Sequence, residues 1–188
     1  RSSKIFLRCL SVAVMGLLSL VGLVTSVQAA KPKIQRIALV IGHNKGNKDL
    51  KPLRYAQRDA RKLASIIQQL GGYRSDQVIL LISPTRREVR RSMSRIRKLA
   101  SRLSKQSVFL FYYSGHARGK HFQLGKEALA FREILQFSKS LPVRVRLLLI
   151  DSCFSGRFLR AKGPRRVSSL RWVPPHQLRT KGLAILTS

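Results

Sequence analysis

Five short and almost uninterrupted apolar runs, at 37–41, 78–82, 108–111, 145–150 and 183–187, constrain the fold of this 188-residue chain more than any other feature. A strand wetted on one face alternates apolar and polar residues. These runs do not, so they read as strands buried on both faces, the habit of parallel sheets. What lies between them supplies the cover. Ala56, Ala60, Leu63, Ala64, Ile67 and Leu70 form one helical stripe, stopped by Gly71 and Gly72. Val89, Met93, Ile96, Leu99, Ala100 and Leu103 form a second, opened by Thr85 with Glu88 three residues on, the pattern of a capping box. A short hairpin over 121–128 and a helix over about 130–140 fill the third interval. This β-α-β-α-β-α-β alternation predicts one α/β domain, a mostly parallel sheet with helices on both faces. No internal repeat, low-complexity segment or second domain interrupts it.

Two of the runs end in residues that carry chemistry. The run at 108–111 leads into Tyr112-Tyr113-Ser114-Gly115-His116, and that at 145–150 into Asp151-Ser152-Cys153-Phe154-Ser155-Gly156. Neighbouring parallel strands end on one sheet edge, where open α/β folds bind ligands. Imidazole and thiol would then face each other across a crevice, as a thiol nucleophile and its base require. His116 would take the Cys153 proton and pass it to a leaving amine. His43, His121 and His176 have no such setting and read as surface or loop residues. Scattered histidines with a lone downstream cysteine lack the paired ligand spacing of a zinc site.

The first thirty residues stand apart. Arg1, Lys4 and Arg8 precede an apolar stretch over 10–24, and Val27-Gln28-Ala29 offers small residues for a peptidase, so 1–30 reads as a secretory signal peptide. The stretch is shorter than the roughly 20 residues that span a bilayer. The expectation is an exported protein, periplasmic or secreted, with its domain at 31–188. Cys9 falls in the signal segment, which leaves Cys153 a lone thiol with no intramolecular disulfide.

Charge sharpens the reading. Lys and Arg number 38 against 7 acids, a formal charge of +31, which favours anionic partners. The cations punctuate every helix and loop with few aromatics between them. They read as a solvated basic face, open to anionic surfaces but not a specific nucleic-acid site. With so few acids, each one matters. Asp151 precedes Cys153 by two residues, so strand alternation points both to the same side. Asp59 lies at the margin of the first helical stripe, where a carboxylate needs a cation. That cation is either a structural partner, for example Arg36, or an Arg or Lys of a substrate, and the residues alone leave both open.

The succession Ile37-Ala38-Leu39-Val40-Ile41-Gly42, Leu53-Arg54-Tyr55-Ala56-Gln57-Arg58-Asp59-Ala60, Tyr-Tyr-Ser-Gly-His and Asp-Ser-Cys-Phe-Ser-Gly resembles the caspase and metacaspase family, its bacterial members in particular, over about 37–188. The resemblance implies a three-layer caspase–haemoglobinase-like fold, with the C-terminal part of the family domain missing from this chain. It implies a cysteine endopeptidase with a His116–Cys153 dyad, a protein or peptide substrate and no cofactor. Cleavage after Arg or Lys is implied, with Asp59 and Asp151 holding the basic side chain and Ser114 flanking it. The backbone N–H groups of Ala117 and Cys153 would hold the oxyanion. The family usually carries Gly where Ala117 stands, so a positive φ there would strain the alanine. The acid cluster that binds calcium in many metacaspases has no counterpart. Two other classes compete: a catalytically inactive caspase-like binding or scaffold module, and a cationic envelope- or nucleic-acid-associated protein.

If Val27-Gln28-Ala29 is a cleavage site, protein recovered from its native host begins at Ala30 or Lys31. Intact-mass measurement checks this, and a mature species that retains 10–24 identifies a membrane-anchored protein instead.

Overall fold

The computed structural model describes residues 34–47, 49–152 and 182–187. The expected signal segment, Cys153 and His176 lie outside the described residues. The apolar runs become five parallel strands: β1 (Arg36–His43), β2 (Val78–Ile82), β3 (Val108–Gly115), β7 (Val145–Asp151) and β8 (Gly182–Thr187), in the order β2-β1-β3-β7-β8. Their central member is β3, and its register aligns Gly42 with Ser114 on one side and Ser114 with Asp151 on the other. The C-terminal ends of β1, β3 and β7 therefore finish together.

Helices cover both faces. On one side α1 (Ala56–Gln69) lays Ala60, Ala64 and Ile67 against Ala38, Val40 and Leu110. On the other, α2 (Arg86–Ala100) and α3 (Phe131–Ser140) bury Val89, Met93, Ile96, Phe131, Ile134 and Phe137 against Ile37, Leu39, Ile41, Phe109 and Phe111. Phe109 and Phe137 meet edge to face at 5.7 Å between centroids. Each large side chain fully buried there contributes about 1.5–3 kcal/mol of transfer free energy.

Few acids hold the ends of these elements. Thr85 and Glu88 form the expected reciprocal capping box at the start of α2. Glu127 accepts the Arg86 amide at 2.7 Å, and Glu133 takes Arg90 through two hydrogen bonds, tying α3 to α2. Asp76 pairs with Arg74 in the turn before β2. At the other end of α3, Arg146 of β7 donates to the Ser138 and Leu141 carbonyls, a cation where the helix leaves carbonyls unpaired.

The region after β3 holds more structure than a hairpin. β4 (Ala117–Arg118), β5 (His121–Leu124) and β6 (Glu127–Ala130) form a small antiparallel sheet. A two-residue strand has no periodicity to read, which is why the sequence shows only the β5–β6 pair. Phe122 fills the space beneath, against Phe111, Tyr113 and Phe131.

Gly42 sets how closely α1 approaches β1. A methyl group there would lie 2.7 Å from the Ala56 carbonyl oxygen and 2.7 Å from Ala60 Cβ. Gly42→Ala should push α1 outward and destabilise the domain by about 1–3 kcal/mol, as overpacking does. Urea denaturation measures the loss, and an unchanged midpoint would show that the helix moves freely.

Candidate active site

His116 follows β3 directly, half-buried, and its backbone is held before its ring is considered. Tyr113, fully buried three positions back on the inner face, shares its hydroxyl proton between the His116 carbonyl at 2.6 Å and the Gln123 carbonyl at 2.8 Å. Gln123 N–H donates to the same His116 carbonyl at 2.8 Å. Burial pushes the Tyr113 phenol well up, so it remains a donor. Gly115 makes room for this arrangement, because a Cβ there would meet the Tyr113 hydroxyl oxygen at 2.5 Å.

The ring itself is oriented by a loop. His116 Nε2 lies 2.9 Å from the Lys51 carbonyl oxygen. A carbonyl can only accept, so Nε2 carries the proton and Nδ1 presents the lone pair. That leaves one nitrogen free to act as a base. The loop between β1 and α1 is closed by Asn44, whose carbonyl accepts Leu53 N–H at 2.8 Å and whose side chain accepts Gln57 N–H at 3.0 Å. The second bond also caps α1, since Tyr55 at the N-cap offers no side-chain bond of its own.

Beside His116 a pocket of about 420 Å³ opens between the strand ends and the start of α1. Asp59, Ser114, Asp151, Arg54 and Tyr55 line it. Ser114 donates to Asp151 at a long 3.5 Å. Burial raises the Tyr112 phenol above its ordinary value, a hydrogen bond with Ser114 opposes this, and Asp151 and Asp59 add to the rise. Both carboxylates thus act on the same phenol, one from the helix over the sheet and one from the neighbouring strand. The pocket is open: Asp151 is exposed and the Asp59 side chain is 38% exposed. Arg58 comes no nearer to Asp59 than 3.9 Å while stacking on Tyr55 at 4.3 Å, an exposed contact worth little.

The structure thus brings together His116, Asp59, Ser114 and Asp151, and it settles two subordinate points. Arg36 is not the partner of Asp59; it lies at the other end of β1 and donates to the Ile34 carbonyl. Ala117 has no positive φ, so nothing at that position demands glycine. It is buried in β4 opposite Phe122, and because His116 accepts from Gln123, ladder alternation directs the Ala117 N–H away from β5.

One expectation fails. His43 is neither a loop nor a surface residue: it is the last residue of β1, 5% exposed. The apolar pattern seemed to stop at Gly42, but the strand continues because the small sheet and the loop over 44–51 cover its end. His121, by contrast, is exposed at the start of β5. Tyr112, Tyr113 and the Lys51 carbonyl were also missed as parts of the site. Alternation from Ser114 back to Tyr112 signals the first; a backbone carbonyl leaves no trace in sequence. Among the described residues, no group of three or more His, Cys, Asp or Glu converges to hold a metal.

Comparison with known proteins agrees with this fold. The chain is similar to a protein from Geobacter sulfurreducens at 25% identity, over 63% of this chain and 50% of that one, with a TM-score of 0.50. It is similar in fold to caspase-1 from Spodoptera frugiperda, at 12% identity and TM-score 0.51 over 65% of this chain and 49% of that one. It is also similar to pro-Sf-caspase-1, at 12% identity and TM-score 0.55 over 84% of this chain and 62% of that one. The chain spans about half the length of the first two. No curated protein sequence matches. The family model of Peptidase C14, the caspase domain, matches residues 35–169, from the start of β1 past the Asp-Ser-Cys motif. The chain belongs to the caspase-domain family, a family of cysteine peptidases.

Proposed function

We propose that this protein is an exported cysteine endopeptidase that cleaves after Arg or Lys. The observation that carries the specificity is where the acids are. Of seven in the whole chain, Asp76, Glu88, Glu127 and Glu133 hold turns and helix ends, while Asp59 and Asp151 share one open pocket beside His116. In a chain of charge +31, two carboxylates in one depression are a poor fit for an acidic side chain and a good one for a guanidinium or ammonium. Ser114 adds a hydroxyl between them.

The chemistry follows from the tautomer. His116 Nδ1 accepts the Cys153 thiol proton, and the thiolate attacks the scissile carbonyl carbon to form a C–S bond. The Ala117 and Cys153 N–H groups take the negative charge on the carbonyl oxygen. Collapse breaks the C–N bond, and His116 returns its proton to the leaving amine. Water activated by the same imidazole then hydrolyses the thioester. No step calls for a cofactor. Export rests on the basic, apolar and small-residue succession of 1–30, and the partner is a protein or peptide. The basic face of α2 remains open to anionic surfaces, with no specific nucleic-acid contact.

Cys153→Ala and His116→Ala should each abolish turnover without unfolding the protein. Alkylation of Cys153 by iodoacetamide at neutral pH should be slower in His116→Ala than in the natural sequence. Turnover retained by Cys153→Ala would end the peptidase reading, and a folded protein with a reactive thiol that cleaves nothing would be a binding module.

For specificity, fluorogenic peptides ending in Arg or Lys should be cleaved and those ending in Asp ignored. Because the pocket is open to solvent, Asp151→Asn should lower kcat/KM for Arg peptides by about ten- to a hundredfold, roughly 1.4 to 2.7 kcal/mol. Cleavage after Asp, or an unchanged Asp151→Asn variant, would show that these acids serve structure.

A further inference from the structure

The buried His43 has no part in the chemistry above, and its setting is costly. It is 5% exposed, and its Nδ1 is buried with no hydrogen-bond partner among the described residues. An unsatisfied buried polar atom is normally selected out in favour of an apolar side chain of the same size. The ring faces Gly125 in the β5–β6 turn, where a Cβ would stand 3.5 Å from its Cε1, and the Gly125 N–H donates to the carbonyl of Lys45, two residues after His43, at 3.2 Å. His43 therefore joins two segments, the loop over 44–51 and the small sheet. Those same segments grip His116: the loop through the Lys51 carbonyl, the small sheet through Gln123 N–H. Gly46 of the loop also packs on the His116 ring, where a Cβ would stand 2.8 Å from Cδ2.

We propose that His43 is a positioning residue for His116, a buried imidazole that holds the Lys51 loop against the small sheet so that the catalytic ring keeps its Nε2–H tautomer. Burial is the main cause that holds its pKa below the usual histidine value, and the neighbouring His116 and Lys45 charges add to it, while the Lys45 backbone opposes. The inference rests on the peptidase reading for its purpose but not for its test.

The test replaces His43 by Phe, which fills the space without a ring nitrogen, and by Gln, which keeps an amide at similar reach. Long-range proton–nitrogen NMR of histidine-labelled protein reads the His116 tautomer directly and needs no substrate. In His43→Phe the single Nε2–H form should give way to a mixture, Cys153 alkylation should slow, and kcat should fall by about ten- to a hundredfold with KM within about twofold, the scale of a misplaced group. His43→Gln should recover part of each. Thermal stability of His43→Phe should be equal or higher, and its loss of stability on acidification below about pH 6.5 smaller. That sign follows from linkage: an unfolded His43 takes a proton that the folded one refuses, so the natural sequence loses stability as pH falls through that range. A His43→Phe protein with an unchanged His116 tautomer and unchanged alkylation would make His43 a space-filler and overturn the proposal, whether or not peptides are cleaved. Should His43→Phe fail to fold, the natural protein still decides. His43 must titrate below the usual histidine value while His116 holds Nε2–H, and an ordinary histidine titration of His43 would overturn the idea.

Discussion

The pairing of β3 with β1 on one side and β7 on the other is the constraint on which the rest depends. Parallel pairing forces chain ends of the same polarity to one edge, and the register stops all three strands at the same level. His43, Ser114, His116 and Asp151 owe their proximity to that level. They come from the ends of three strands far apart in sequence, and no local preference could bring those ends together. Crossover helices make such pairing possible, and their buried stripes supply most of the free energy that holds it.

The two faces of the sheet are built differently, and the difference matters at the site. Against α1 the layer is thin, with Ala38, Ala60, Ala64 and Gly42 letting helix and sheet approach closely. Closeness places Asp59, at the start of that helix, within range of the strand ends. Against α2 and α3 the layer is thick with Phe, Ile and Tyr, and here the small sheet folds over the edge. The acid pocket lies on the thin side. The hydrogen-bond clamp on the His116 carbonyl lies on the thick side, where Tyr113 can be buried whole.

Much of this was legible before any coordinates. Unalternating apolar runs identify β1, β2, β3 and β7 because a strand covered on both faces has no reason to be polar on either. The Thr85–Glu88 box could be read because both its partners lie within one turn. His116, Asp59, Ser114 and Asp151 stand out by residue type and by their place at element ends. What could not be read depends on contacts across the chain. His43 looked like the first residue of a loop, since the segments that bury it arrive from 44–51 and 117–130. Tyr113 looked like one more core aromatic, since its hydroxyl acts on a carbonyl. The Arg90–Glu133 link joins residues 43 apart, with nothing in the spacing to suggest it.

The bond between His116 Nε2 and the Lys51 carbonyl shifts the burden of orientation from side chain to main chain. Every residue type carries a main-chain carbonyl, proline included, so the identity of the residue at position 51 is nearly free to drift. The length of the segment between Asn44 and Leu53 is not, because a one-residue insertion would carry the acceptor several ångströms along the chain. Family members that share this device should therefore vary in the letters of this loop while keeping its span. The orienting group of the base would then be found by counting residues rather than by matching them.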